Sequence, residues 1–249
     1  MEILGVDIGG TGIKGAIVDT KKGQLLTERM RIPTPQPATP EAVINTIKEL
    51  IDHFQWHGVV GCGLPSVVVH DVVRTASNID ESWIGLNAAE EIKRMTGCPT
   101  HLVNDVDAAG LAEMKFGAGK GTKGVTIMLA AGTGLGSALF LDKKLLPNTE
   151  FGFIMVNREI ETEYYAANSI REKENLDWET WAGRLNEVFL RLESLFYPDL
   201  FILGGGVSKK FDLYKQYFDL NTKLVPATNR NHAGIIGAAL AAKSEGLKV

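Results

Sequence analysis

Three glycine-rich segments carry residue types that could bind phosphate. The first runs from Asp7 to Lys14 and combines three glycines with a threonine, a carboxylate and an ammonium group. Glycine permits positive φ, which can turn successive backbone amides toward one anion. Asp7 could hold a metal ion through water, and Lys14 could balance phosphate charge. An ordinary hairpin turn would use the same residues, because short glycine motifs are common.

The other two segments make a plain hairpin turn a weaker explanation. Residues 131–137 read Ala-Gly-Thr-Gly-Leu-Gly-Ser and lie between two apolar runs. The third segment, Gly204-Gly205-Gly206, follows another apolar run and leads into a possible helix. The N-terminus of such a helix would favour an anion. No GxxxxGK[ST] motif occurs, so these loops are not of the Walker type. The phosphate-binding candidates are Gly9, Gly10, Thr11, Gly12, Lys14, Gly132, Thr133, Gly134, Gly205 and Gly206.

Transfer of a phosphoryl group to a hydroxyl also needs a base that accepts the hydroxyl proton. Asp105 is the candidate, since it follows Asn104 at the junction of a predicted strand and a predicted helix. Asp and Asn are both favoured as helix N-caps, so spacing alone leaves capping open as the alternative. The two roles are compatible, because a capped helix end holds a carboxylate rigidly. Asp107 is turned away from Asp105 in a helix, and we expect it to be structural.

The elements that must position these residues alternate between strand-like apolar runs and amphipathic stretches, which predicts an α/β fold. A strand, a glycine–threonine loop and a second strand occur at residues 3–18 and again at 125–141. This faint repeat suggests two halves with a ligand cleft between them. Helices are predicted where apolar residues recur at helical spacing over 43–54, in the charged stretch 160–174 and in the alanine-rich stretch 233–243.

The bulk composition excludes several classes of protein. The chain has 249 residues, 45% hydrophobic and 22% charged, and its net charge of −4 provides no overall basic surface for nucleic acid. It contains no apolar run long enough for a membrane helix and no signal peptide, so we expect a cytoplasmic protein. Because the sequence starts almost directly in its first predicted strand, we expect no DNA-binding domain before the fold. Cys62 and Cys98 form neither a CxxC pair nor a metal-ligand pattern, which favours thiols in a reducing compartment.

Several longer segments carry a more specific pattern. Residues 34–40 read Thr-Pro-Gln-Pro-Ala-Thr-Pro, and residues 147–152 read Pro-Asn-Thr-Glu-Phe-Gly. These segments resemble the ROK family of sugar kinases and regulators, and within it the bacterial polyphosphate glucokinases. The resemblance continues in order over nearly the whole chain, through residues 7–15, 72–80, 82–85, 104–113 and 198–206.

The resemblance implies a fold and a division of the chain. The family has the actin-like ATPase (ribonuclease-H-like) fold, an α/β architecture of two domains with a ligand cleft between them. We expect the smaller N-terminal domain at residues 1–104, with the C-terminal helix 233–249 packing back on it. The larger C-terminal domain is expected at residues 105–232.

The resemblance also implies a hexokinase-type phosphotransferase, a homodimer that phosphorylates glucose at the 6-hydroxyl. Asp105 would be the catalytic base, and Asp7 would hold Mg²⁺ through water. Asn78, Asn104 and Glu150 match positions that contact the hexose, and Glu163, or alternatively Glu161, would add an acidic contact. The phosphate donor would be ATP, inorganic polyphosphate or both.

Two departures from the family pattern bear on the sugar. The usual Glu-x-Gly-His is Glu150-Phe151-Gly152-Phe153 here, so the histidine that contacts the sugar, and in many relatives ligates zinc, is absent. The zinc cysteine cluster is absent as well, and we expect no zinc site. Ser66 stands where the family usually has glycine, which could constrain the backbone near the sugar.

Two other functions and the choice of donor stay open at this point. One is a kinase of the same fold for another hexose, mannose or an N-acetylhexosamine, and the other is a sugar-binding sensor without turnover. The triple glycine at 204–206 fits ATP, whereas the proline-rich segment resembles polyphosphate users. A polyphosphate groove would need cations, and ordinary surface lysines are the alternative interpretation for most candidates. Those candidates are Lys14, Lys120, Lys123, Lys209 and Lys210.

Overall fold

The computed structural model describes residues 1–156 and 159–245. Its strands are β1 (Glu2–Gly9), β2 (Gly12–Asp19), β3 (Gln24–Leu25), β4 (Met30–Ile32), β5 (Val60–Leu64), β6 (Val68–Val69), β7 (Val72–Val73), β8 (Thr100–Asn104), β9 (Val125–Ala131), β10 (Leu135–Leu141), β11 (Lys144–Leu146), β12 (Met155–Val156), β13 (Ile160–Glu161), β14 (Leu200–Gly204) and β15 (Leu224–Pro226). Its α-helices are α1 (Pro40–His53), α2 (Ala88–Thr96), α3 (Asp105–Phe116), α4 (Thr162–Ala166), α5 (Asn168–Lys173), α6 (Trp178–Phe196) and α7 (Ala233–Glu245).

The chain divides into two compact units. One comprises Met1–Ala112 with the chain from Asn231 onward, and the other comprises Glu113–Arg230. The division between the units falls inside α3. The domain bounds 1–104 and 105–232 expected from the sequence stay a prediction. Residues 246–249 of the expected C-terminal helix 233–249 lie outside the described residues. No helix in the described ranges is long and apolar enough to cross a membrane.

The two units contain sheets with the same order of neighbours. In the first, β1 pairs with β2 in antiparallel fashion and with β5 in parallel, and β5 pairs in parallel with β8. In the second, β9 pairs antiparallel with β10 and parallel with β14, which pairs in parallel with β15. The strand–loop–strand repeat noted in the sequence thus occupies the same place in each sheet. The parallel strands of each sheet end at one edge, where ligands usually bind in open α/β sheets.

Each unit has its own hydrophobic core. In the first, the apolar face predicted for α1 is buried against the sheet through Val43, Ile47, Leu50 and Ile51. Thr39 caps this helix and Pro40 begins it, as helix-start preferences favour. In the second, α6 buries a face that includes Trp181, Leu185 and Phe189 against β9, β10 and β14.

The helix α7 packs so closely on the first sheet that their backbones are in contact. A Cβ atom at Gly5 of β1 would lie 2.1 Å from the carbonyl oxygen of Ile235, and one at Gly61 of β5 would lie 2.0 Å from that of Ala238. On the helix itself, a Cβ at Gly237 would lie 1.6 Å from the carbonyl oxygen of Ala108 in α3. Glycine at these positions lets the backbones of α7, the sheet and α3 touch.

This close packing predicts different outcomes for two mid-helix glycines. Gly237→Ala should destabilise the protein by about 2 kcal/mol or more, because backbone atoms must move to accept the methyl group. Gly183→Ala in α6 should instead raise stability by up to about 1 kcal/mol, since Gly183 is exposed and a Cβ there meets nothing within 4 Å. Thermal unfolding of the two variants measures the difference, and equal melting temperatures would contradict the packing described.

Candidate active site

The first glycine segment is the turn of the β1–β2 hairpin. Gly9 and Gly12 are the last paired residues, and Gly10 and Thr11 form the exposed turn between them. The hairpin interpretation and the phosphate-loop interpretation therefore describe the same residues. What distinguishes this turn from an ordinary one is the way in which its peptide groups are held.

Side chains from residues 31–36 hold the carbonyl groups of this turn. They donate hydrogen bonds from Arg31 Nη2 to Thr11 O (2.8 Å), from Gln36 Nε2 to Gly10 O (3.4 Å) and from Thr34 Oγ1 to Gly9 O. Because a peptide group is planar, fixing the carbonyl also fixes the direction of its amide N–H. The proline-rich segment thus supports the first loop, which explains physically why the two occur together.

Three charged side chains lie in a row beside this loop. Asp7 of β1 is paired in register with Lys14 of β2, which is paired with Arg31 of β4. Lys14 Nζ lies 3.0 Å from Asp7 Oδ2, with 28% of the Lys14 side chain and 19% of the Asp7 side chain exposed. The Arg31 guanidinium covers Gly12, where a Cβ atom would lie 2.5 Å from Arg31 Nε. Arg31 was not among the residues predicted from the sequence. Its place in the site follows from the register of β2 with β4, which sets Arg31 beside Lys14.

Asp7 can take part in a metal site only together with other oxygen ligands. Within residues 1–156 and 159–245, no three or more His, Cys, Asp or Glu side chains are grouped to hold a metal ion. Mg²⁺ commonly keeps several waters and binds one or two carboxylates plus substrate phosphates, which a single carboxylate beside a phosphate loop would suit. Gly234 of α7 leaves room for this carboxylate, since a Cβ there would lie 2.8 Å from Asp7 Cγ.

At the junction of β8 and α3, Asn104 caps the helix and the neighbouring Asp105 is the candidate base. Asn104 caps the helix: its Oδ1 accepts from the backbone N–H of Val106 (2.9 Å) and of Asp107 (3.0 Å). Its Nδ2 donates to the carbonyl of Ser66 (3.2 Å). Asp105 follows as the first residue of α3, half-buried, with Oδ1 accepting from the N–H of Val106 (2.9 Å). Residue spacing had left helix capping open as the role of Asp105. In the structure Asn104 supplies this cap.

The first loop and Asp105 lie at the same edge of the first sheet. Asp7 of β1 is level with Gly63 of β5, which is level with Val103 of β8, and all three strands run in parallel. A Cβ at Gly63 would lie 3.6 Å from the Cα of Asp105. The remaining candidate of this unit, Asn78, is exposed in the segment between β7 and the 3₁₀ turn at Glu81–Trp83.

The second glycine loop joins β9 to β10 and is also held through its carbonyl groups. Ser169 of α5 donates its N–H to Gly132 O (3.0 Å) and its hydroxyl to Thr133 O (2.6 Å). On the other side of the loop, Glu163 Oε2 accepts from the N–H of Leu135 (3.1 Å). Only glycine leaves space for this carboxylate, because a Cβ at Gly134 would lie 2.3 Å from Glu163 Oε2.

Glu163 and Glu150 come together beside this loop. Glu150 precedes the 3₁₀ turn Phe151–Phe153, makes no capping hydrogen bond and is half-buried. Burial, and secondly the negative charge of Glu163, raise the pKa of Glu150 above its ordinary value. An under-solvated carboxylate of this kind would be satisfied by hydroxyl donors from a ligand. Phe153, in place of the family's histidine, is 50% exposed.

The third glycine cluster abuts the second loop. Gly205 has φ +82°, and a Cβ there would lie 2.2 Å from the carbonyl oxygen of Ala131. The segment that follows is a 3₁₀ helix, Gly206–Leu213, and not an α-helix. The reason is that the N–H and hydroxyl of Ser208 both donate to Gly205 O, which sets an i→i+3 pattern. The expected α-helical N-terminus is therefore absent, and the second and third glycine clusters form one edge of the second sheet.

The raised pKa of Glu150 predicts a pH dependence of stability. A carboxyl group with a higher pKa in the folded state binds more protons folded than unfolded above its ordinary value of 4.5, so its contribution to the free energy of unfolding falls as pH rises. In Glu150→Gln this contribution is absent. We expect the melting temperature of the variant, relative to wild type, to increase from pH 4.5 toward neutrality.

A calorimetric pH series on wild type, Glu150→Gln and Glu179→Gln measures this effect. Glu179 is an exposed carboxylate of the same unit, so its substitution should leave the pH dependence unchanged. A difference between Glu150→Gln and wild type that stays constant with pH would show that the Glu150 carboxyl is ordinary.

Comparison with known proteins agrees with the fold and with the resemblance. A family model described as ROK family matches residues 3–162. A polyphosphate glucokinase from Mycobacterium tuberculosis is 47% identical over 243 residues, covering 97% of this chain and 91% of that protein. The crystal structure of an inorganic polyphosphate/ATP-glucomannokinase from Arthrobacter sp. strain KM superposes with a TM-score of 0.93 at 43% identity, covering 98% of this chain and 99% of that one.

A more distant neighbour supports the fold alone. A ROK family glucokinase from Streptomyces griseus, crystallised with glucose and AMPPNP, has a TM-score of 0.85 at 24% identity and covers 98% of this chain. These neighbours confirm the predicted α/β, actin-like ATPase fold of two domains. On the family model and on relatives that it matches over nearly their whole length, this chain belongs to the ROK family.

Proposed function

We propose that this chain phosphorylates glucose at the 6-hydroxyl, using inorganic polyphosphate, ATP or both as the donor. The names of the mycobacterial relatives and of the Arthrobacter structure support both the sugar and the donors. The observation in this chain that carries the proposal is the common sheet edge of the first glycine loop and Asp105. A phosphate-binding loop and a rigidly mounted carboxylate at one edge are the parts that transfer to a hydroxyl requires.

Asp105 would act as the base of this reaction. The sugar 6-oxygen attacks the terminal phosphorus of the donor and its proton passes to an Asp105 carboxylate oxygen, while the bond from phosphorus to the bridging oxygen breaks. The leaving group is a polyphosphate shortened by one unit, or ADP. The capping bonds of Asn104 keep the helix start fixed, so that the carboxylate is oriented before the substrate arrives. This gives Asn104 a positioning role in addition to the sugar contact expected from the resemblance.

The glycine loops and their neighbours would stabilise phosphate charge. The amides of residues 9–12, 133 and 134, the ammonium of Lys14 and the backbone at Gly205 and Gly206 are the proposed donors. The N–H of Gly132 instead donates to Gly134 O (2.9 Å) and shapes the loop. Asp7 would hold Mg²⁺ through water, and the bound ion would supply further neutralisation of donor charge. Arg31 joins this set as a cation fixed on the loop by its hydrogen bond to Thr11.

The hexose would be recognised through carboxylates and amides. Glu150 and Glu163 would accept hydrogen bonds from sugar hydroxyls, which would relieve the poor solvation of Glu150. Asn78 would add an amide contact. Mannose is a second candidate substrate, because the Arthrobacter protein is named a glucomannokinase. The homodimer and the cytoplasmic location expected from the sequence stay predictions.

The role of Asp105 is tested by Asp105→Asn. We expect kcat for glucose phosphorylation to fall by about 10²–10⁴-fold with an unchanged melting temperature, because the amide is isosteric and cannot take the proton. Asp52→Asn is the matched control, since Asp52 is an exposed carboxylate of α1 that forms an ion pair with Lys48. If Asp105→Asn turns over glucose at nearly the wild-type rate, Asp105 is not the base.

A further inference from the structure

Two cations lie over the ring of Trp178 in the second unit: Arg171, which has had no role so far, and Lys210, one of the lysines considered for a polyphosphate groove. The Arg171 guanidinium carbon lies 4.2 Å from the centre of the indole ring, and Lys210 Nζ lies 5.7 Å from it. The ring of Tyr214 stacks on the same indole at 5.0 Å with an angle of 16° between planes. Cations held over an aromatic ring are fixed in place and keep their charge available.

Both cations belong to elements that contact or directly follow a glycine loop. Arg171 lies two residues beyond Ser169, whose hydrogen bonds hold Gly132 and Thr133 of the second loop. Lys210 lies four residues beyond Gly206, at a kink within the 3₁₀ segment Gly206–Leu213. The two elements meet at Trp178, the first residue of α6. The cations therefore lie a short distance beyond the loops that would hold the transferred phosphoryl group.

We propose that Arg171 and Lys210, held by Trp178, bind the part of the donor chain beyond the transferred phosphoryl group, and that this subsite takes linear inorganic polyphosphate. The inference rests on the proposed function and names the donor side of the same site. A polyanion of repeating phosphates needs successive cations along its path, which the two positions supply.

The surroundings of the indole favour a phosphate chain over a nucleotide base. With Tyr214 stacked on it, Arg171 above it and Trp181 at its edge (5.7 Å between ring centres), the ring is already covered and offers no platform for adenine. Arg171 is further oriented by Nε donating to Asn168 Oδ1 (3.0 Å). Its acidic neighbour Glu172, 3.5 Å away, has 63% of its side chain exposed, so solvent weakens that attraction. The Arg171 side chain itself is 19% exposed, so only its outer part is open to a donor chain. Lys210 is exposed and has no acidic partner among the ion pairs of the described residues.

The test compares donors in variants of Lys210. Lys210→Ala should raise the KM for long-chain polyphosphate about three- to tenfold at saturating glucose, the loss expected for one exposed charge contact, and Lys210→Glu should raise it further. The KM for tripolyphosphate and for ATP should change less than twofold, because these donors end before the subsite. Lys215→Ala is the matched control, since Lys215 is an exposed lysine of the same segment already paired with Asp212 at 2.6 Å.

Direct binding separates this inference from the proposed function. Titration calorimetry with long-chain polyphosphate alone should show weaker binding to Lys210→Glu than to wild type or Lys215→Ala, with a difference that shrinks as salt is added. If wild type turns over no sugar but binds polyphosphate in this Lys210-dependent way, the proposed function fails and the subsite stands. Equal binding and equal KM values in wild type and both Lys210 variants, or an equal rise in KM for ATP and polyphosphate, would overturn the subsite.

Discussion

The hydrogen bonds that side chains make to the carbonyl groups of the two glycine loops are the constraint on which the candidate site depends. Glycine-rich backbone is conformationally free, and a freely moving loop would lose much of its capacity to stabilise an anion. In the first unit the donors come from residues 31–36, and in the second from Ser169. In both cases fixing the carbonyls orients the amides before any ligand arrives, so that little reorganisation is left for the moment of transfer.

The remaining parts of the site follow from the sheet edges. Parallel strands bring their carboxyl ends together, which places the first loop level with the β5 turn and with Asp105 in the first unit. In the second unit the same arrangement places the β9–β10 loop against Gly205. The glycines at which α7 touches β1 and β5 keep the first sheet in one position beneath this edge. A rigid scaffold of this kind would let a short side chain such as Asp105 take the proposed role of base, with Asn104 supplying the cap.

Much of the fold could be predicted from the sequence, and so could the place of several candidate site residues, because both depend on local patterns. The strands that flank each loop, the buried face of α1 and the junction at Asn104–Asp105 follow from apolar spacing and residue type. The predicted helix over 160–174 was wrong as a single element: Glu161 ends a short strand, and α4 and α5 are separated at Ala167, whose extended backbone breaks the helix. The helix expected after Gly206 is 3₁₀ because Ser208 bonds back to Gly205, a tertiary detail that periodicity does not contain.

What the sequence could not supply were the partners brought together by strand pairing and packing. Arg31 lies on the first loop only because β4 pairs with β2, and Trp178 gathers Arg171 and Lys210 from segments that are about forty residues apart in the chain. These contacts decide which surface residues are functional candidates and which are solvated side chains.

The account is tested most directly by measuring glucose 6-phosphate formed by the purified wild-type protein with glucose, Mg²⁺ and one donor at a time. Product detection by a coupled dehydrogenase avoids any assumption about the donor. The account predicts steady formation of glucose 6-phosphate with polyphosphate or with ATP, and none when the donor is omitted. A protein that is stabilised by glucose against heat but forms no product with either donor would contradict it.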